Sequence, residues 1–123
     1  MKLFVIFGSV LGLLAVASGA FGAHALENHL DAPMLEIWET AAKYQMYHAL
    51  ALFGAAWLVT QDPTSNWANT AGWAFFIGTL IFSGSLYILT LSGIKWLGAI
   101  TPIGGVSLMV GWFSCLMAAI KLK

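Results

Sequence analysis

Polar and apolar positions fall in long blocks along this chain. Its charged residues, Lys2, Glu27, Asp31, Glu36, Glu39, Lys43, Asp62, Lys95, Lys121 and Lys123, leave four uncharged apolar runs at 3–26, 44–60, 67–91 and 102–120. A helix needs about 20 such residues to cross a hydrocarbon core roughly 30 Å thick, at a rise of about 1.5 Å per residue. The first and third runs exceed that length and the fourth approaches it. The second is short by itself, but its helical pattern starts upstream. Asp31 precedes Pro33, and Glu36, Glu39 and Lys43 recur at helical spacing, with Glu39 and Lys43 at the favourable separation of one turn. One helix that enters through the interface and then crosses accounts for both parts.

The breaks agree with this division. Gln61, Asp62, Pro63, Thr64, Ser65 and Asn66 form a polar, turn-rich stretch that supplies caps for a third helix. Ser92 and Gly93 end it, and Thr101-Pro102 reads as an N-cap followed by a helix-opening proline. The apolar connection 94–100 reads as a helical turn in the interface. Short connections make consecutive helices antiparallel neighbours. The expected fold is therefore all-α. It is a polytopic membrane protein with a single transmembrane domain over 1–123, an antiparallel four-helix bundle with spans at about 3–26, 33–60, 67–91 and 102–121.

Composition narrows the classes further. Of 123 residues 60% are hydrophobic and 8% charged, with no arginine, whereas a soluble domain carries roughly 25% charged residues. A water-soluble monomer and a nucleic-acid binder are thereby excluded, the latter for lack of a basic footprint. Cys115 is the only cysteine, which excludes disulfide scaffolds and Cys-rich metal centres. Lys2 and the small-residue run from Ser18 to Ala23 also fit a cleavable signal peptide, but the apolar run is long for one and reads as a retained helix. Lys2, Lys121 and Lys123 fall on one side of the bundle and Lys43 and Lys95 on the other, so both termini are expected in the cytoplasm. Trp38 and Trp96 would mark the outer interface, and Trp57 and Trp67 the inner one.

Gly8, Gly12, Ala15, Gly19 and Ala23 form a small-residue stripe on helix one, a face for close packing on a neighbour in this chain or on a second copy. Thr79, Ser83, Tyr87 and Thr90 share a face of helix three. Such hydroxyls either bond backbone carbonyls or line a polar path. The antiparallel order brings His24, Tyr44, His48, Ser83, Ser85, Tyr87, Thr101, Gly104 and Gly105 into one half of the bundle. They are expected to form one connected polar, ligand-binding cluster, with His48 accepting from Tyr87 and donating to a carbonyl. No catalytic residue is assigned, because a Ser-His-Asp set lacks a buried acid, and phosphate loops and an embedded glutamate are absent. His24 and His48 are the one pair that could bind haem or a metal, but no carboxylate inside the spans completes such a site. No metal or other cofactor is expected.

Four blocks carry a resemblance. They are Gly19-Ala20-Phe21-Gly22-Ala23-His24-Ala25-Leu26; Trp38-Glu39-Thr40-Ala41 with Tyr44 and His48-Ala49-Leu50-Ala51-Leu52; Phe82-Ser83-Gly84-Ser85-Leu86-Tyr87; and Leu97-Gly98-Ala99-Ile100-Thr101-Pro102-Ile103-Gly104-Gly105 with Gly111-Trp112. In this order they resemble the domain-of-unknown-function 423 family, the small inner-membrane proteins of YgdD and YwdK type with the eukaryotic relative called transmembrane protein 256. The resemblance covers nearly the whole chain. It implies a four-helix protein of the bacterial inner membrane and supplies no activity or catalytic residue. The expected function is that of a non-enzymatic binder of a lipid, a quinone or a partner membrane protein. The alternatives are an accessory subunit of a larger complex, a small transporter or channel acting as a homo-oligomer, and a haem or metal protein through His24 and His48.

Overall fold

The helices start and stop where the sequence provides substitutes for missing helical hydrogen bonds. In the computed structural model, which describes residues 1–123, α1 is Lys2–His24, α2 Ala32–Gln61, α3 Asn66–Ser92 and α4 Thr101–Ile120, with a 3-10 turn at Lys95–Ala99. The Asp31 carboxylate accepts from Met34 N–H at 2.9 Å to open α2, with Pro33 in the first turn. Ser65 Oγ accepts from Ala68 N–H at 3.1 Å to open α3. Gly93 closes α3 at φ 71°, a left-handed conformation that glycine adopts without penalty. Thr101 departs from its expected role. It is the first residue of α4 and makes no cap; its hydroxyl meets Ser85 instead.

Successive helices run antiparallel. Gly22 faces Trp38 and Gly8 faces Ala49 between α1 and α2, while Gly104 faces Phe82, Gly78 faces Leu108 and Gly111 faces Phe75 between α3 and α4. α1 also leans on α3, where Phe4 covers Gly72 and Phe7 stacks on Phe76 at 3.7 Å. One core joins all four helices through Phe4 and Leu11, Ala49, Leu52 and Ala55, Ala71 and Phe75, and Leu108. The small side chains of α2 let neighbours approach it from several sides.

The surface is apolar. Leu13, Val16, Ile103, Val106, Met109 and Leu116 are each more than half exposed, and a soluble monomer rarely shows so much contiguous apolar area. α1, α3 and the segment Lys95–Ile120 are long and apolar enough to cross a membrane. α2 does not join them, which departs from the four apolar spans expected. Tyr44, Gln45, Tyr47 and His48 dilute its hydropathy, and of these Gln45 and His48 are buried inside the bundle.

Candidate functional site

The polar side chains first draw α1, α2 and α3 together. Trp38 Nε1–H donates to the Ser18 carbonyl at 2.8 Å, and two turns further along α2 Gln45 Nε2–H donates to the Leu11 carbonyl at 2.8 Å. Gln45 Oε1 accepts from the Tyr87 hydroxyl at 2.7 Å. Ser83 donates to the Ala41 carbonyl at 2.7 Å. Trp38, expected as an interface marker, is a buried link between helices. Sequence reasoning also missed Gln45; its signal is a lone amide within a window that otherwise reads as a span.

A second group lies between α2 and α4. His48 Nδ1–H donates to the Tyr44 carbonyl at 2.7 Å, and Nε2 accepts from Trp112 Nε1–H at 3.0 Å. Because indole only donates, Nε2 must be the acceptor and the ring is the neutral Nδ1–H form. The Tyr44 ring stacks on Phe82 with centroids 4.5 Å apart.

The structure therefore divides the expected cluster. The proposed Tyr87–His48 bond does not form: Tyr87 pairs with Gln45, and His48 with Trp112. Ser85 and Thr101 make a separate hydroxyl pair at 2.6 Å, and Gly104 packs on the Phe82 backbone. His24 is exposed at the end of α1. With both nitrogens of His48 engaged, the His24–His48 ligand pair is not assembled. The packing stripe is also redistributed. Gly8 and Ala15 are buried and Gly12 is in contact with Ala49, but Gly19 and Ala23 are exposed, and Gly22 takes the inward position beneath Trp38.

The remaining open feature is a groove between α2 and α4, which follows from α4 packing closely on α3 and only loosely on α2. Toward the end that carries the 93–100 connection it forms a cavity of about 550 Å³, with Tyr44, His48, Phe82, Gly105 and Met109 in its walls. Toward the end that carries the termini it forms a second of about 480 Å³, with Tyr47, Ala51, Gly54, Trp57 and Cys115. Trp112 borders both and separates them. The Trp112 ring is held there by its bond to His48 and by edge packing on Phe75, with centroids 5.0 Å apart. A smaller cavity of about 180 Å³ on the opposite face borders Leu11, Gln45, Thr79 and Tyr87.

The comparisons with known proteins bear on this architecture. A family described as "Protein of unknown function (DUF423)" matches residues 18–105. The UPF0382 membrane protein YwdK of Bacillus subtilis is 48% identical over 98% of this chain and 98% of its own length. A UPF0382 membrane protein of Staphylococcus saprophyticus is 48% identical over 99% of this chain and 100% of its own. Another, from Staphylococcus aureus, is 50% identical over 98% of each. No solved structure matches.

Proposed function

This chain belongs to the DUF423 family, and on that premise we propose a non-enzymatic protein of the bacterial inner membrane that crosses the bilayer four times and holds a lipid chain in the groove between α2 and α4. Support for the fourth span is geometric. α2 pairs antiparallel with α1 from Trp38 to Leu52, so a bilayer crossed by α1 and α3 encloses α2 as well. Its buried amide and imidazole are bonded internally, as hydrocarbon surroundings require. The hydroxyls of Ser83, Ser85, Tyr87 and Thr101 are likewise engaged. In lipid, where burying apolar surface gives helices no advantage over the tails, such bonds and close contacts hold them together. That use leaves no nucleophile paired with a base, which favours binding over catalysis.

The groove carries the functional reading. It is a long, open, apolar depression on a surface that faces lipid, floored by the small residues Ala51, Gly54 and Gly105. Gly54 supplies the test, because no atom lies within 4 Å of where its Cβ would be. Gly54→Leu therefore adds bulk to the wall of the depression from a position where its Cβ meets no neighbour. Native mass spectrometry of protein purified in mild detergent is expected to show fewer retained lipids in the variant at unchanged helicity. Equal retention would overturn the reading. Exposed Gly19 and Ala23 favour a second one, in which α1 packs on a partner helix in a homo-oligomer or a larger complex.

A further inference from the structure

At the end that carries the termini a polar pocket lies next to the groove. This pocket, of about 400 Å³, is walled by Gln61, Asp62, Thr64, Lys121, Leu122 and Lys123. Pocket and groove are consecutive along both walls. Asp62 N–H donates to the carbonyl of Leu58, and Leu122 N–H to that of Ala119, both at 3.1 Å. Leu58 and Ala119 are the groove residues nearest that end. Leu122 packs on the cluster that contains Leu58 and Ala118, which keeps the ends of α2 and α4 together. Pocket and groove thus lie end to end along α2 and α4, the pocket polar and the groove apolar toward Trp112.

Its charge is asymmetric. Two lysines face a single acidic side chain, Asp62, whose Oδ1 already accepts from the Thr64 N–H at 3.1 Å and the Thr64 hydroxyl at 2.7 Å. At the opposite end of the bundle Glu27, Asp31, Glu36 and Glu39 outnumber Lys43 and Lys95. An anion is therefore favoured at the terminal end and disfavoured at the other.

We propose that pocket and groove together bind an anionic phospholipid. Its phosphate lies against Lys121 and Lys123, with the Gln61 amide as a further donor, and one acyl chain runs along α2 and α4 toward Trp112. The inference rests on the groove reading above and adds the headgroup, its sign and its leaflet. A partner helix would not use a cationic pocket closed by the 61–64 turn, whereas an amphiphile uses both halves.

The test measures retention of phosphatidylglycerol and of phosphatidylcholine with identical acyl chains, added to delipidated full-length protein and read by native mass spectrometry. Each lysine near the headgroup contributes a factor of about five, so the wild type is expected to prefer phosphatidylglycerol roughly 30-fold. Lys121→Gln with Lys123→Gln should abolish the preference and leave phosphatidylcholine retention unchanged. Gly54→Leu should lower retention of both lipids. No preference in the wild type, or a preference that survives the double substitution, overturns the headgroup assignment while the groove reading stands. Undiminished retention of both lipids in Gly54→Leu overturns the groove reading and this inference with it.

Discussion

Gln45 lies 4% exposed in the middle of the bundle, with its donor on the Leu11 carbonyl and its acceptor on Tyr87. Removing one partner of such a buried pair leaves the other desolvated and unpaired, which costs more than the bond itself contributes. Tyr87→Phe is therefore expected to destabilise the protein by about 1 kcal/mol, the scale of interhelical bonds in lipid. The double variant Gln45→Leu/Tyr87→Phe should lose less than the sum of the single ones. Reversible unfolding in mixed micelles measures the cycle, and strict additivity would show that the two side chains are not bonded. From the residues alone Tyr87 invites pairing with His48, because both are polar and at a similar depth. Depth is a property of position along a helix. Pairing depends on which side of α2 each neighbour occupies: α1 brings its carbonyls to the Gln45 side, and α4 brings Trp112 to the His48 side.

Helix periodicity explains the redistributed stripe. On α1 the inward positions are Phe4, Gly8, Leu11, Ala15 and Gly22, which follow the alternating four-and-three spacing of a seven-residue repeat. Two antiparallel helices stay in contact along such a seam. The run Gly8, Gly12, Ala15, Gly19, Ala23 has a longer mean spacing and drifts off that seam after two turns. On α4 Gly104, Gly111 and Ala118 repeat every seven residues and are buried against α3. These placements make opposite predictions for glycines that look alike in sequence. At Gly104 an added Cβ would run into the Phe82 backbone nitrogen and Cα, which cannot rotate away. Gly104→Leu is expected to cost about 3 kcal/mol or prevent folding. At Gly19 an added Cβ meets nothing within 4 Å, so Gly19→Leu should be neutral or gain up to about 1 kcal/mol in helix propensity. Thermal unfolding of the purified variants separates the two cases; a Gly19→Leu protein that dissociates from an oligomer would instead place α1 at an interface between copies.

Across the whole molecule the charge distribution is uneven. Lys2, Lys121 and Lys123 stand with Asp62 at one end, and the other end is acidic on balance. The excess of lysine favours cytoplasmic termini. With Cys115 replaced by alanine, Asn28→Cys in the connection between α1 and α2 should react with an impermeant maleimide in intact cells, and Asn66→Cys should not. The reverse pattern would invert the protein without altering the bundle. The helices, their ends and their antiparallel order follow from local features: uncharged runs, the Asp31 and Ser65 caps, and Gly93. The rotation of each helix about its axis does not. In a soluble protein an apolar stripe reports the inward face, but here both lipid and core are apolar and a hydrophobic stripe has little contrast. Rotation is decided instead by where backbones approach, at Gly8, Gly78 and Gly104, and by the fit of Trp38 over Gly22, and a turn of one residue, about 100°, would carry Gln45 or His48 to the lipid. The same close approach of α4 to α3 leaves α2 partly uncovered, so the groove arises from tertiary packing between segments far apart in the chain, and no local pattern of residues encodes it.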